Sequence, residues 1–140
     1  MNISILNDHR NISAVLKFVF PLDEQSFNQY TSQNINESSQ FLVFGIDQEE
    51  WNILAYELIV DYDLNDLWGE YLDYIIMNGE EPIAYSKSDL LCMYNRLIKF
   101  VDKKQMRSDL ERNFYKFLIE FFQTIFKEER EYYCLIIEWH

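Results

Sequence analysis

Residues 40–46, QFLVFGI, are nearly all apolar. A short run of this kind, without alternating polar positions, reads as a β-strand covered on both faces. Such a strand is central, so the chain has to build layers on either side of it. Residues 12–20, ISAVLKFVF, supply a neighbour with a different pattern. Ile12, Ala14, Leu16, Phe18 and Phe20 share one face; Ser13 and Lys17 lie on the other with Val15 and Val19, and Pro21 ends the run. ISIL at 3–6 is a candidate further strand.

Helical spacing dominates much of the rest. Asp47 and Glu50 form a capping-box pattern, followed by Trp51, Leu54, Ala55, Leu58, Ile59 and Tyr62 at a period near 3.6. LAYELIV within this segment has a rival reading as a strand, but its apolar period fits the helix better. A second start at Asp63 places Leu64, Leu67, Trp68, Tyr71 and Ile75 on one face, and MNGEEP at 77–82 closes the region with a turn. PIAY at 82–85 is a short strand candidate. Ser86 or Ser88 caps a helix bearing Leu90, Leu91, Tyr94, Leu97, Ile98 and Val101, with Arg96, Lys99 and Lys103 on its exposed side. A second box, Ser108 to Glu111, opens a helix to about residue 127 that is apolar on two faces. Leu110, Phe114, Phe117, Leu118, Phe121 and Ile125 form one, and Tyr115, Ile119, Phe122 and Phe126 the other. That helix has to lie between the sheet and a further layer, made of helices or of a partner. The closing YYCLIIEWH reads as a returning strand, with helix continuation as the alternative. Residues 21–39, rich in Asn, Gln and Ser, read as a surface connection with a helical turn or two after Asp23.

The expected architecture is α+β. It has a small, mostly antiparallel sheet (strands near 12–20, 40–46 and 132–139) packed against about four helices (near 48–62, 64–77, 88–102 and 108–127). A chain of 140 residues fits one domain, 1–140, and folding at this size hides roughly 68–70% of the unfolded surface. Three Gly and two Pro leave little material for tight turns, and 17% aromatic residues argue against disorder.

No motif names a reaction. The two histidines stand at positions 9 and 140, the two cysteines form no CxxC, and three glycines cannot make a P-loop or a dinucleotide fingerprint. Asp61, Asp63 and Asp66 lack the Gly and closing Glu of a calcium loop. Carboxylates are so plentiful that no pair stands out as an acid and base. The expectations are therefore no enzyme, no cofactor and no metal. Cys92 and Cys134 read as buried thiols of a reducing cytosol. Trp51, Trp68 and Trp139 read as core rather than pocket. The N-terminus shows no signal-peptide pattern, and no apolar stretch approaches the ~20 residues of a membrane span. The Asn-X-Ser sequons at Asn2, Asn11 and Asn36 read as chance in a cytoplasmic chain.

Charge is the remaining signal. The net charge is −12, which repels nucleic acid and anionic lipid and attracts basic partners. From Phe18 to Ser86 there are fourteen acids and no Lys or Arg. On a helical wheel Asp63, Asp66, Glu70 and Asp73 fall within an arc of about 80°, and Glu50, Glu57 and Asp61 cluster on the preceding helix. Like charges at this spacing cost a few tenths of a kcal/mol per pair, and a chain selected for stability alone would intersperse Lys. Solvation is the plain alternative; the complete lack of bases favours a surface for a cationic partner. Met77 and Tyr74 sit in or beside the acidic arc as apolar anchors. With Asp47, Glu80 and Glu81 these residues make up the expected partner-binding set.

In its size, acidity and lysine-free tract DLNDLWGEYLD, the chain resembles the small acidic immunity proteins of bacterial toxin systems, including those of contact-dependent growth inhibition. The resemblance is one of whole-chain character, and no family residue carries over. It implies a cytoplasmic protein, monomeric or weakly dimeric, that neutralises a cognate basic toxin, often a nuclease. A nucleic-acid mimic directed at a DNA-binding protein shares the same physics. The alternatives are a small-molecule-binding or enzymatic domain with an aromatic pocket, and a subunit of a larger assembly docking through helix 108–127.

Overall fold

In the computed structural model, which describes residues 1–56, 63, 66–68, 84–127, 129–130 and 132–139, the apolar run at 40–46 is a strand with every residue buried. Five strands, β1 (Asn2–Leu6), β2 (Leu16–Pro21), β3 (Phe41–Ile46), β4 (Ala84–Tyr85) and β5 (Leu135–Trp139), form one sheet in the order β1-β3-β2-β5-β4. Every pairing is antiparallel. Among the described residues the helices are α1 (Glu24–Thr31), α2 (Gln48–Tyr56), α3 (Lys87–Lys103) and α4 (Asp109–Phe126), with a 3-10 turn at His9–Asn11 and helical backbone at 63 and 66–68. The fold is α+β, as expected. The rest of the expected helix 64–77, the end of helix 48–62 and the 77–82 turn lie outside the described residues.

The pleat of β2 and β3 divides the core. Leu16, Phe18, Phe20, Leu42, Phe44 and Ile46 face the layer of α2, α3, α4 and Trp68. Val19, Phe41, Val43 and Ile136 face the opposite way, where Phe27 and Tyr30 of α1 cover them. The two-faced helix α4 is central in the larger layer. Its Phe114, Phe117 and Phe121 rings lie 6.2–6.3 Å from Phe44 on the sheet. On its other side Phe122 meets Trp68 at 5.9 Å and Tyr94 at 6.0 Å, and Tyr115 meets Phe100 at 5.8 Å. The second apolar face is thus filled from within the chain.

Caps set the helix ends. Asp47 Oδ1 accepts from Glu50 N at 2.7 Å, and Asp47 N donates to Glu50 Oε1 at 3.4 Å, closing the expected box. Ser86, not Ser88, caps α3 and forms a full box with Asp89. Ser108 caps α4 through Glu111 N, but the Glu111 side chain accepts from Arg107 N at 2.8 Å instead of completing the box. α1 ends with Gln33 at φ 60°, and Asn34 N donates to Gln29 O at 2.8 Å, the bond of a Schellman termination.

Three expectations need correction. The strand expected at 12–20 begins only at Leu16. Ile12 and Ala14 instead lie against β3 at Gly45, where an added Cβ would stand 3.2 Å from each of them. Ile12 consequently packs on the α1 side, opposite the face its alternation assigned. Cys92 is exposed; only Cys134 is buried, and both thiols are free. On α3 the buried residues are Leu90, Met93 and Leu97, whereas Leu91 and Ile98 of the expected apolar face are exposed. Trp68 is core, as expected, its Nε1 donating to Met93 O at 3.1 Å.

Candidate functional site

The base-free tract holds eight acids among the described residues: Asp23, Glu24, Glu37, Asp47, Glu49, Glu50, Asp63 and Asp66. Two are engaged in ion pairs within the fold, and two more, Asp23 and Asp47, accept helix-capping bonds from Ser26 N and Glu50 N. Both Glu50 carboxylate oxygens lie 2.6 Å from the Met1 amino nitrogen, so Glu50 joins the start of α2 to the start of β1. Asp63 turns inward: its Oδ2 lies 2.8 Å from Lys104 Nζ and accepts from Tyr115 Oη at 2.9 Å. The other six are exposed. Among the described residues none of them has a cationic partner within salt-bridge distance. Asp47 and Glu49 stand at the start of α2, where the helix dipole favours negative charge.

Of the expected partner-binding set, Asp47 and Asp66 are therefore solvent-facing. Glu50 and Asp63 are tied to the fold. Glu57, Asp61, Glu70, Asp73, Tyr74, Met77, Glu80 and Glu81 lie outside the described residues. The wheel placed Asp63 and Asp66 in one outward arc; the structure separates them because Lys104 draws Asp63 in. The same ammonium lies 2.9 Å from Glu111, which is 0% exposed, so one cation is bracketed by two carboxylates. Desolvation, the largest single effect on Lys104, works against its charge. Bonding to Asp63 and Glu111 outweighs it and raises the Lys104 pKa. Burial and the neighbouring Asp63 likewise raise the Tyr115 pKa, keeping the phenol a donor.

A second polar cluster lies on the α1 side of the sheet. Glu138 of β5 accepts from Tyr30 Oη of α1 in a short hydrogen bond. Its Oε2 lies 3.7 Å from Lys17 Nζ and 3.4 Å from His9 Nδ1. Lys17 is only 6% exposed. Burial, the largest single effect, would raise the Glu138 pKa. The His9 and Tyr30 side chains and the charges at His9 and Lys17 override it and hold the carboxyl down at about 2. The cluster joins the 3-10 turn, β2, α1 and β5, and its chemistry is that of a structural clamp. Its sequence trace was Lys17, a charge on an otherwise covered strand; nothing local linked it to Glu138, more than a hundred residues away.

Among the described residues no group of three His, Cys, Asp or Glu side chains is placed to hold a metal ion. No described helix is long and apolar enough to cross a membrane. Neither a family model, nor a curated protein, nor a solved structure significantly matches the chain.

Proposed function

We propose that this chain is an immunity-type inhibitor that binds a cognate basic toxin in the cytoplasm through its acidic surface. The observation carrying this reading is the division of the carboxylates. Six of the eight described acids in the base-free tract are solvent-facing, and although Asp23 and Asp47 also cap helices, no cation among the described residues balances these six charges. A field of this sign steers a cationic macromolecule and raises its on-rate by about 10–10³-fold at low salt. The exposed carboxylates at Asp47, Glu49 and Asp66, with those expected at Glu57, Asp61, Glu70, Asp73, Glu80 and Glu81, engage Lys and Arg that would otherwise hold substrate phosphates. Tyr74 and Met77 provide the apolar anchors.

The other readings have less support. A binding pocket would use the aromatic excess, but Phe18, Phe44, Phe114, Phe121 and Phe122 fill the core between sheet and helices. Assembly through α4 would need an uncovered second face, which α3 and Trp68 occupy. The test is co-expression with the product of the adjacent open reading frame. The proposal expects rescue of growth and a co-purifying complex that weakens with salt. Failure of a basic toxin encoded there to bind at low salt would overturn it.

A further inference from the structure

The exposed side of α3 carries a pattern that neither the core nor the acidic surface uses. Lys87, Leu91, Asn95, Ile98 and Asp102 follow one another at steps of four, four, three and four, which places them in one stripe within about 80° of the helix. All five are exposed, Leu91 by 40% and Ile98 by 38%. They adjoin the buried Leu90, Met93 and Leu97, so the apolar surface of α3 is wider than the described residues cover. Read from either end the stripe is charged, apolar, polar, apolar, charged, with the sign of the charge inverted. A two-fold axis at Asn95 therefore sets Leu91 against Ile98 and Lys87 against Asp102 of a second, antiparallel copy.

The terminal charges add an independent argument. Lys87 opens the helix and Asp102 lies in its last turn. Within the stripe this order is the reverse of what the helix dipole favours, since cations belong at the C-terminus and anions at the N-terminus; off the stripe, Asp89 in the first turn and Lys103 in the last have the favourable order. Neither residue has an ionic partner among the described residues; Lys87 Nζ makes only a cation–π contact there, over the Tyr133 ring at 4.7 Å. An arrangement unfavourable within one helix becomes favourable beside an antiparallel copy. A polar residue at the centre of such a seam fixes register, and Asn95 can donate to and accept from its own counterpart. A different partner would not require the stripe to complement itself.

We propose that the chain forms a two-fold symmetric dimer in which α3 packs antiparallel against α3 of a second copy along this stripe. The interface is isologous, so each side chain acts twice. The dimer forms without any toxin.

Sedimentation equilibrium on the purified chain tests this. The parent is expected to show concentration-dependent dimerisation. Ile98→Glu places two buried charges in the seam and should weaken the dimer at least about tenfold. Lys87→Glu should also weaken it, by setting like charges against each other across the seam, with heat unfolding of each variant followed alongside. Adding Asp102→Lys to Lys87→Glu should restore dimerisation. A parent that remains monomeric to its solubility limit would overturn the proposal. So would a dimer indifferent to Ile98→Glu, or a double variant that associates no better than the Lys87→Glu single variant.

Discussion

Replacing Glu138 by Gln removes one charge from a site where Tyr30, Lys17 and His9 converge. The carboxyl, held at about 2 in the folded protein against an ordinary 4.5, favours the native state whenever it is ionised. The folded-state pKa is depressed, so this stability is fully present above the unfolded value. Below it the unfolded chain takes up the proton first, and the contribution is lost as pH falls towards about 2. At about 1.4 kcal/mol per unit the shift corresponds to roughly 3 kcal/mol at neutral pH. Removing one member of a buried ion pair typically costs about 3–5 kcal/mol, and Gln retains an acceptor for Tyr30, so roughly 2–3 kcal/mol is expected. Urea unfolding of parent and Glu138→Gln from neutral pH into the acid range measures it. Other carboxylates titrate in both proteins, so the difference between the two stability curves isolates Glu138. The difference should shrink below the ordinary carboxyl pKa. Parallel curves through the acid limb, or a neutral difference below about 0.5 kcal/mol, would refute the reasoning.

Two further outcomes follow from the interior. Lys104→Met leaves Glu111, wholly buried, and Asp63 without their shared cation; the expected cost is about 3–5 kcal/mol in urea unfolding, with a smaller loss if Asp63→Asn is added to reduce the stranded charge. A thiol reagent should modify Cys92 rapidly in the native protein and Cys134 only on unfolding, since Cys134 is buried and burial raises its pKa.

Much of the fold was legible because strong local signals agreed with one another. QFLVFGI is short and apolar throughout, and it became the doubly covered β3 between β1 and β2. The two apolar faces of α4 forecast its position between sheet and helices, and caps were found in use at Asp47, at Ser108 and, of the two candidates for α3, at Ser86. The failures occur where tertiary contacts overrule period. Alternation extended β2 back to Ile12, but the absence of a side chain at Gly45 lets Ile12 and Ala14 lie against β3 there instead. Apolarity marked Leu91 and Ile98 as core, although α4 and the sheet cover only the Leu90, Met93 and Leu97 side of α3. In the candidate site, the wheel correctly turned Asp66 outward but could not foresee Lys104, far along the chain, drawing Asp63 inward. Among the described residues the partners in the ion pairs of Met1, His9, Lys17 and Asp63 are distant in sequence, and local pattern carries no information about them.

The account rests on the acidic tract being a docking surface, and association kinetics test that most directly. With the adjacent basic toxin as ligand, on-rates are measured across ionic strength for three proteins. These are the parent, a variant carrying Asp66→Lys, Glu70→Lys and Asp73→Lys, and a control carrying Glu24→Lys and Glu37→Lys, exposed acids on and just after α1. The account predicts that the first variant loses about tenfold or more in on-rate at low salt and has a flatter salt dependence, while the control stays close to the parent. Equal rates for parent and first variant at every ionic strength, or a control that slows as much, would contradict it.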